Sequence, residues 1–166
     1  MATDSVVHQL AIRVSNKLRD ERLMLATAES CTGGMVATAI TDISGSSGWF
    51  ERGFVTYSNQ AKSEMIGVPA DLIEKHGAVS EPVARAMAEG ALRNSRAQVA
   101  LSITGVAGPS GGSETKPVGT VSFGWSNRLH TSVETVVFKG DRERIRVQAA
   151  AHALRGLLAL LDEQER

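Results

Sequence analysis

The sequence predicts an α/β protein in which helices cover both faces of a mixed β-sheet. Strand-like apolar segments alternate with helical segments through most of the 166 residues, a pattern typical of a sheet with parallel strands. Two strand-like segments then follow each other near the C-terminus, which predicts an antiparallel pair in the same sheet. A hydrophobic content of 42% suffices for one core, so a single domain is expected over residues 1–166.

The first third of the chain contains two predicted helices and two predicted strands. Apolar side chains recur at helical spacing over residues 4–20, and "RLMLATAE" (22–29) is typical of a short buried strand. Gly33 is predicted to open a second helix that ends near Asp42. "FERGFVTYS" (50–58) is the second predicted strand, in which Gly53 is expected to mark a β-bulge.

The rest of the chain is predicted to contain three helices, a strand, a Gly-rich loop, a strand pair and a long final helix. Ser80 followed by Pro82 is a typical helix start, and Gly67 and Gly77 end the two shorter helices before it. The predicted helices cover 59–66, 69–77, 80–95 and 141–164, the strands cover 97–107, 118–126 and 130–140, and the loop covers 108–117.

Composition and charge argue against several classes of protein. Eighteen basic and eighteen acidic residues give no basic stripe for a nucleic acid, and one cysteine forms no internal disulfide, as in reducing compartments. The charged N-terminal segment lacks the apolar core of a signal peptide, and no apolar run approaches transmembrane length. We therefore expect a cytoplasmic protein without nucleic-acid or membrane partners, and the apolar helix surface favours a homo-oligomer.

Three segments that follow predicted strands, residues 29–34, 57–62 and 104–119, hold most of the residues suited to chemistry. Ligands of open α/β sheets bind at the carboxyl ends of the strands. The four histidines lie outside these segments, and no pair of them has metal-ligand spacing. The sequence therefore predicts a ligand site at this edge, without a metal and without a Ser-His-Asp triad.

"TAESCTGG" (27–34) allows two interpretations. Ser30 follows a strand and precedes a helix, so it suits a nucleophile whose oxyanion meets the N–H groups of Cys31, Thr32, Gly33 and Gly34. The alternative is that Ser30 or Thr32 merely caps the helix. Cys31 is either a rival nucleophile or a small packed thiol, which is the commoner role of a free cysteine.

A serine nucleophile needs a base, and Lys62 is the candidate. The predicted cap at Ser58 or Asn59 puts Lys62 in the first turn of a helix, where the dipole and partial burial both lower the pKa of an amine. Tyr57 ends the preceding strand and is placed to relay a proton or to hold the substrate. The alternatives are a solvated lysine and a packed tyrosine.

Two further segments suit ligand binding. Thr104 and Gly105 end a strand, and the glycines after them either approach a ligand, form a lid or belong to a mobile surface loop. On the final helix, Arg142 and Arg146 lie on or near the apolar face, so each needs an anionic partner. That partner is either a ligand phosphate or an internal carboxylate such as Glu29 or Asp42.

These motifs together resemble the CinA C-terminal domain family, and the resemblance covers residues 10–161. It rests on "TAESCTGG", "FERGFVTYSNQAKSEMIGV", "HGAVSEPVA", "ITGVAGPSGGSETKPVGTV" and "GDRERIR", in that order. The resemblance implies a three-layer α/β/α sandwich and hydrolysis of nicotinamide mononucleotide to nicotinate mononucleotide and ammonia, without a cofactor. Longer members of the family carry an N-terminal molybdopterin-binding-like domain, and from the length of this chain we expect the form without it.

Residue by residue, the resemblance implies that Ser30 is the nucleophile, Lys62 the base and Tyr57 its neighbour. Thr104 and Gly105 match the strand-end pair near the substrate, and Arg142 and Arg146 match phosphate or nicotinate-side contacts. Two other functions stay open at this point: a mononucleotide-binding regulatory module without turnover, and an amidase that uses Cys31. The family's association with competence and DNA damage receives no support from the neutral charge.

Overall fold

The computed structural model describes residues 2–164 and contains one five-stranded mixed sheet. Its spatial order is β2-β1-β3-β4-β5, and β2, β1 and β3 are parallel, whereas β4 and β5 are antiparallel to their neighbours. The prediction of a mixed sheet with a late antiparallel pair is therefore confirmed. The strands are β1 (Leu25–Glu29), β2 (Phe50–Val55), β3 (Val99–Gly105), β4 (Thr120–Ser126) and β5 (Thr131–Val137).

Helices cover both faces of this sheet and give three layers. On one face, α1 (Ala2–Glu21), α2 (Met35–Thr41) and α6 (Arg142–Gln164) bury bulky side chains such as Leu18, Phe123 and Leu157. On the other face, α3 (Asn59–Ile66), α4 (Ala70–His76) and α5 (Glu81–Arg93) enclose a smaller, alanine-rich core that includes Met87. Among the helices of residues 2–164, none combines the length and the apolar character that crossing a membrane requires.

The helix starts follow the capping signals at two of three positions. The hydroxyl of Ser58 accepts a hydrogen bond from the Ala61 N–H, and that of Ser80 accepts one from the Val83 N–H, so α3 and α5 begin where predicted. The prediction that Gly33 opens α2 is wrong, because α2 begins at Met35. Gly33 and Gly34 instead have φ values of 61° and 104°, in the left-handed region that glycine adopts at little cost.

Gly53 has a different role from the predicted β-bulge. The register shift between β1 and β2 lies between Leu25 and Ala26, whereas Gly53 is in regular register with Thr27. A Cβ atom at position 53 would lie 2.8 Å from Thr27 Oγ1, so glycine here allows close packing of the two strands.

The carboxyl ends of the three parallel strands lie at one edge of the sheet. Pairing continues one residue beyond β1, because the Ser30 N–H donates to the Ile103 carbonyl and the Thr56 N–H donates to the Glu29 carbonyl. Ser30 is therefore held between β2 and β3, and the three predicted loops meet around it.

Candidate active site

Ser30 and Lys62 form a hydrogen-bonded pair at this edge. Lys62 Nζ lies 3.2 Å from Ser30 Oγ, and the main-chain carbonyl oxygen of Tyr57 lies 3.4 Å from each of these two atoms. The cap at Ser58 fixes the start of α3, and the helix then directs Lys62 inward rather than toward solvent. The segments after β1 and β2 thus bring together a hydroxyl, an amine and a carbonyl.

Burial lowers the pKa of Lys62. Its side chain is 1% exposed, and this desolvation lowers the pKa of the amine below the ordinary value of 10.5, with a smaller opposing effect from Cys31. Its hydrogen-bond partners are a hydroxyl and a carbonyl, neither of which carries a charge that would hold the ammonium form. The surroundings therefore favour a neutral amine, which accepts a proton from a neighbouring hydroxyl.

Glu29, rather than Ser30 or Thr32, satisfies the start of α2. Its carboxylate accepts hydrogen bonds from the N–H groups of Val36 and Ala37 and from the hydroxyl of Thr32, at 2.6–3.1 Å. The helix N-cap is Gly34, which has no capping side chain. The interpretation of Ser30 or Thr32 as the cap is therefore wrong, and the Ser30 hydroxyl contacts Lys62 and the Tyr57 carbonyl instead.

Residues 30–34 form a tight turn that leaves several N–H groups available. The Gly33 N–H donates to the Ser30 carbonyl, so it is already used within the turn. Within residues 2–164, the N–H groups of Cys31, Thr32 and Gly34 have no acceptor on another residue. Main-chain donors beside a nucleophile are the groups that stabilise a developing oxyanion.

Cys31 is a packed thiol. It is 5% exposed, and a Cβ atom at position 105 would lie 3.1 Å from its Sγ atom, so Gly105 leaves the space that the sulfur occupies. Burial, reinforced by the charge of Glu29, raises the pKa of Cys31 to about 11. A thiol with this pKa is almost wholly protonated at neutral pH and is a poor nucleophile.

The two arginines of α6 contact different segments of the site. Arg146 donates from Nε to the Cys31 carbonyl at 3.0 Å and from Nη2 to the Thr32 carbonyl at 3.2 Å. Arg142 is exposed and donates to the Gly108 carbonyl at 2.7 Å and to the Tyr57 hydroxyl at 3.1 Å. Neither pairs with Glu29 or Asp42 in the described chain, so the internal-carboxylate alternative is wrong.

Tyr57 therefore contributes two separate groups. Its carbonyl contacts Ser30 and Lys62, whereas its phenol, on a side chain that is 61% exposed, contacts Arg142. The phenol lies at the rim of the site and not beside the Ser30 hydroxyl, so these contacts fit the substrate-holding role better than the proton relay.

The segment after β3 provides the other wall. Thr104 is buried and its hydroxyl donates to the Ala78 carbonyl at 2.8 Å, which ties the strand end to the segment before α5. Residues 106–119 are closed at the neck by paired hydrogen bonds between Val106 and its neighbours Thr120 and Gly119. Lys116 anchors the loop at the His76 carbonyl, and residues 110–115 are exposed.

The described residues contain neither a cluster of metal ligands nor a histidine beside Ser30. No group of three or more His, Cys, Asp or Glu side chains within 2–164 is arranged to hold a metal ion. His152 pairs with Glu134 and packs against Phe123, and no histidine in this part of the chain hydrogen-bonds to Ser30 or Lys62.

Known proteins with similar sequences or folds are named as nicotinamide-nucleotide amidohydrolases or as CinA-type proteins. The chain is 54% identical over 156 residues to a protein of Escherichia coli (strain K12) named nicotinamide-nucleotide amidohydrolase PncC, covering 93% of this chain and 94% of that one. A similarly named protein of Enterobacter agglomerans is 50% identical over 155 residues, covering 92% and 93% of the two chains.

The fold matches solved structures over nearly the whole chain. The competence/damage inducible protein CihA from Agrobacterium tumefaciens has a TM-score of 0.91 at 43% identity and covers 93% of this chain and 95% of its own. A CinA superfamily protein from Klebsiella pneumoniae also has a TM-score of 0.91, at 36% identity, covering 95% and 98%. Since the model of the CinA C-terminal domain matches residues 7–161, the chain belongs to the CinA C-terminal domain family.

Proposed function

We propose that this protein hydrolyses the carboxamide of nicotinamide mononucleotide, giving nicotinate mononucleotide and ammonia, as a step of pyridine nucleotide salvage. The observation that carries the proposal is the buried contact of 3.2 Å between Lys62 Nζ and Ser30 Oγ. The names of the relatives supply the substrate, and the site supplies a nucleophile and a base that suit an amide.

In the first half of the proposed reaction, neutral Lys62 accepts the proton of Ser30 while Ser30 Oγ attacks the carboxamide carbon. The oxyanion is stabilised by the N–H groups of Cys31, Thr32 and Gly34, whereas the Gly33 N–H remains in the turn. Lys62 then donates its proton to the leaving nitrogen. Ammonia departs, and the acyl group remains as an ester on Ser30.

In the second half, Lys62 accepts a proton from a water molecule, which attacks the ester carbon. The same N–H groups stabilise the second oxyanion, and the proton returns from Lys62 to Ser30 as the acid leaves. The Tyr57 carbonyl, 3.4 Å from Nζ, accepts a hydrogen bond from the ammonium that forms transiently in each half. No metal or redox cofactor is required by this sequence of steps.

For substrate binding, the exposed side chains at the rim are the candidates. Arg142 and the Tyr57 ring are exposed and hydrogen-bonded to each other, so the phosphate or the pyridine ring of a mononucleotide could reach both from solvent. Each guanidinium already donates to two acceptors, but that of Arg146 is half-buried against the turn, whereas Arg142 is exposed and open to a ligand. We therefore assign the phosphate contact to Arg142 and a supporting role to Arg146.

The test is incubation of the purified protein with nicotinamide mononucleotide, with ammonia and nicotinate mononucleotide both measured. Ser30→Ala should lower kcat by about 10³-fold or more, because the nucleophile is lost. Ser47→Ala is the matched control and should retain activity, because Ser47 is exposed and lies before β2, at the amino ends of the strands. Wild-type-like ammonia release by Ser30→Ala would disprove the mechanism, and mononucleotide binding without any product would favour a regulatory binding module.

A further inference from the structure

We propose that Glu29 is a positioning residue of the amidase reaction, which holds the turn of residues 30–34 so that its N–H groups face the carbon that Ser30 attacks. This inference rests on the function proposed above. Glu29 is a buried carboxylate that takes no part in the reaction steps described above.

The carboxylate of Glu29 joins the two sides of the turn through three hydrogen bonds. Glu29 Oε1 accepts from the Thr32 hydroxyl at 2.6 Å and from the Val36 N–H at 2.9 Å, while Oε2 accepts from the Ala37 N–H at 3.1 Å. The side chain is 1% exposed, so these three donors replace the water that the charge has lost. The carboxylate thereby connects the end of β1, the middle of the turn and the first turn of α2.

Thr32 is consequently fixed at two atoms. Glu29 holds its hydroxyl, and its carbonyl accepts from Arg146 at 3.2 Å and from the Met35 N–H at 3.1 Å. With these groups held, its N–H has a fixed direction and no acceptor on another residue among the described ones. Donors that are oriented before the reaction stabilise an oxyanion without reorganising, and a misplacement of about 1 Å costs on the order of 10²-fold in rate.

A capping side chain at position 34 could not replace Glu29 without straining the backbone of the turn. Gly34 is the N-cap of α2 and has a φ of 104°, a conformation in which Ser or Asp would be strained. Because Glu29 reaches forward from the strand to satisfy Val36 and Ala37, position 34 can remain glycine and its N–H stays outside the helix hydrogen bonding. Glu29 therefore separates the donors that α2 needs from those that face Ser30.

The experiment compares Glu29→Gln with Thr32→Val and Thr32→Ser, using nicotinamide mononucleotide as substrate. Glu29→Gln keeps the shape but opposes one N–H donor with another, so kcat should fall about 10- to 100-fold while KM changes less than about threefold. Thr32→Val removes the hydroxyl and should lower kcat similarly, and Thr32→Ser should recover most of that loss. The double variant Glu29→Gln/Thr32→Val should lose no more kcat than the worse single variant, because both changes break the same contact between the Thr32 hydroxyl and the Glu29 carboxylate.

Glu74→Gln on α4 is the matched control, since Glu74 is exposed, and it should leave kcat and KM unchanged. Amide hydrogen exchange at Val36 and Ala37 should accelerate in Glu29→Gln and not in Glu74→Gln. A wild-type kcat in Glu29→Gln, an equal effect on KM and kcat, or additive losses in the double variant would overturn the inference. If Glu29→Gln does not fold, a wild-type kcat in Thr32→Val overturns it, whereas a wild-type protein that releases no ammonia refutes the proposed function itself.

Discussion

The turn after β1 and the loop after β3 leave the same edge of the sheet but are held in different ways. Residues 30–34 are mostly buried and fixed by internal partners, namely the Glu29 carboxylate and the Arg146 guanidinium. Residues 106–119 are fixed at the neck and at two further contacts, from Lys116 to the His76 carbonyl and from Arg142 to the Gly108 carbonyl, while the tip is exposed. Changes around the turn should therefore act on kcat, and changes around the loop should act on KM.

The largest expected effect comes from Lys62→Met on the turn side. Removal of the base should lower kcat about 10²- to 10⁴-fold, the usual contribution of a positioned general base. Lys75→Met, which changes an exposed lysine on α4, is the control and should retain activity. Steady-state ammonia release measures both, and a Lys62→Met protein with more than a tenth of wild-type kcat would contradict the assignment.

The same variant carries a prediction about stability and pH. Burial lowers the pKa of folded Lys62 below its unfolded value of 10.5, so the unfolded chain binds an extra proton between the two values. The free-energy cost of burying Lys62 is therefore absent above about pH 10.5. This cost grows, and the protein becomes less stable, as pH falls toward the folded pKa. Lys62→Met should raise Tm at pH 7, and the gain over wild type should shrink as pH rises to 10.5.

The arginines of α6 should differ in effect, because one contacts the turn and the other the loop. Arg146→Lys cannot bind two carbonyls as a planar fork, so kcat should fall about tenfold with little change in KM. Arg142→Lys should instead raise KM about tenfold, because the exposed guanidinium is assigned to the phosphate. Arg155→Lys on the same helix is the control, and an exchange of the two patterns would reverse the assignment.

A smaller effect is expected from Lys116→Met. The change removes the hydrogen bond to the His76 carbonyl and loosens one end of the loop, so KM should rise about threefold while kcat stays within twofold. Lys139→Met, at an exposed position after β5, is the comparison variant. A loss confined to kcat would mean that the loop orients the catalytic groups as the turn does.

The smallest expected effect is that of Cys31→Ala. The sulfur packs against Gly105 and has a pKa raised to about 11, so its removal should lower kcat by no more than about threefold. The chain has one cysteine, so alkylation by iodoacetamide at pH 8 reports on it alone and should be slow. Loss of activity comparable to that of Ser30→Ala would restore Cys31 as the nucleophile.

Much of the fold and part of the site were predictable because their signals are local. Strand ends, a helix cap at Ser58 or Asn59 and the absence of histidines from the three loops made Ser30 and Lys62 candidates, and the family resemblance favoured them over the alternatives. The start of α2 was not predictable from capping rules, because its acceptor is Glu29, six residues before the first helical residue. The partners of Arg142 and Arg146 are main-chain carbonyls, which every sequence contains and which side-chain complementarity therefore cannot indicate.

The carbonyl of Tyr57 has a consequence for how this site can be studied. The oxygen that contacts both the Ser30 hydroxyl and the Lys62 amine belongs to the peptide link between residues 57 and 58, so every amino acid at position 57 supplies it. Replacing Tyr57 by alanine therefore tests the phenol and leaves the carbonyl in place. Replacing that amide by an ester through chemical protein synthesis would weaken the acceptor while leaving all side chains in place.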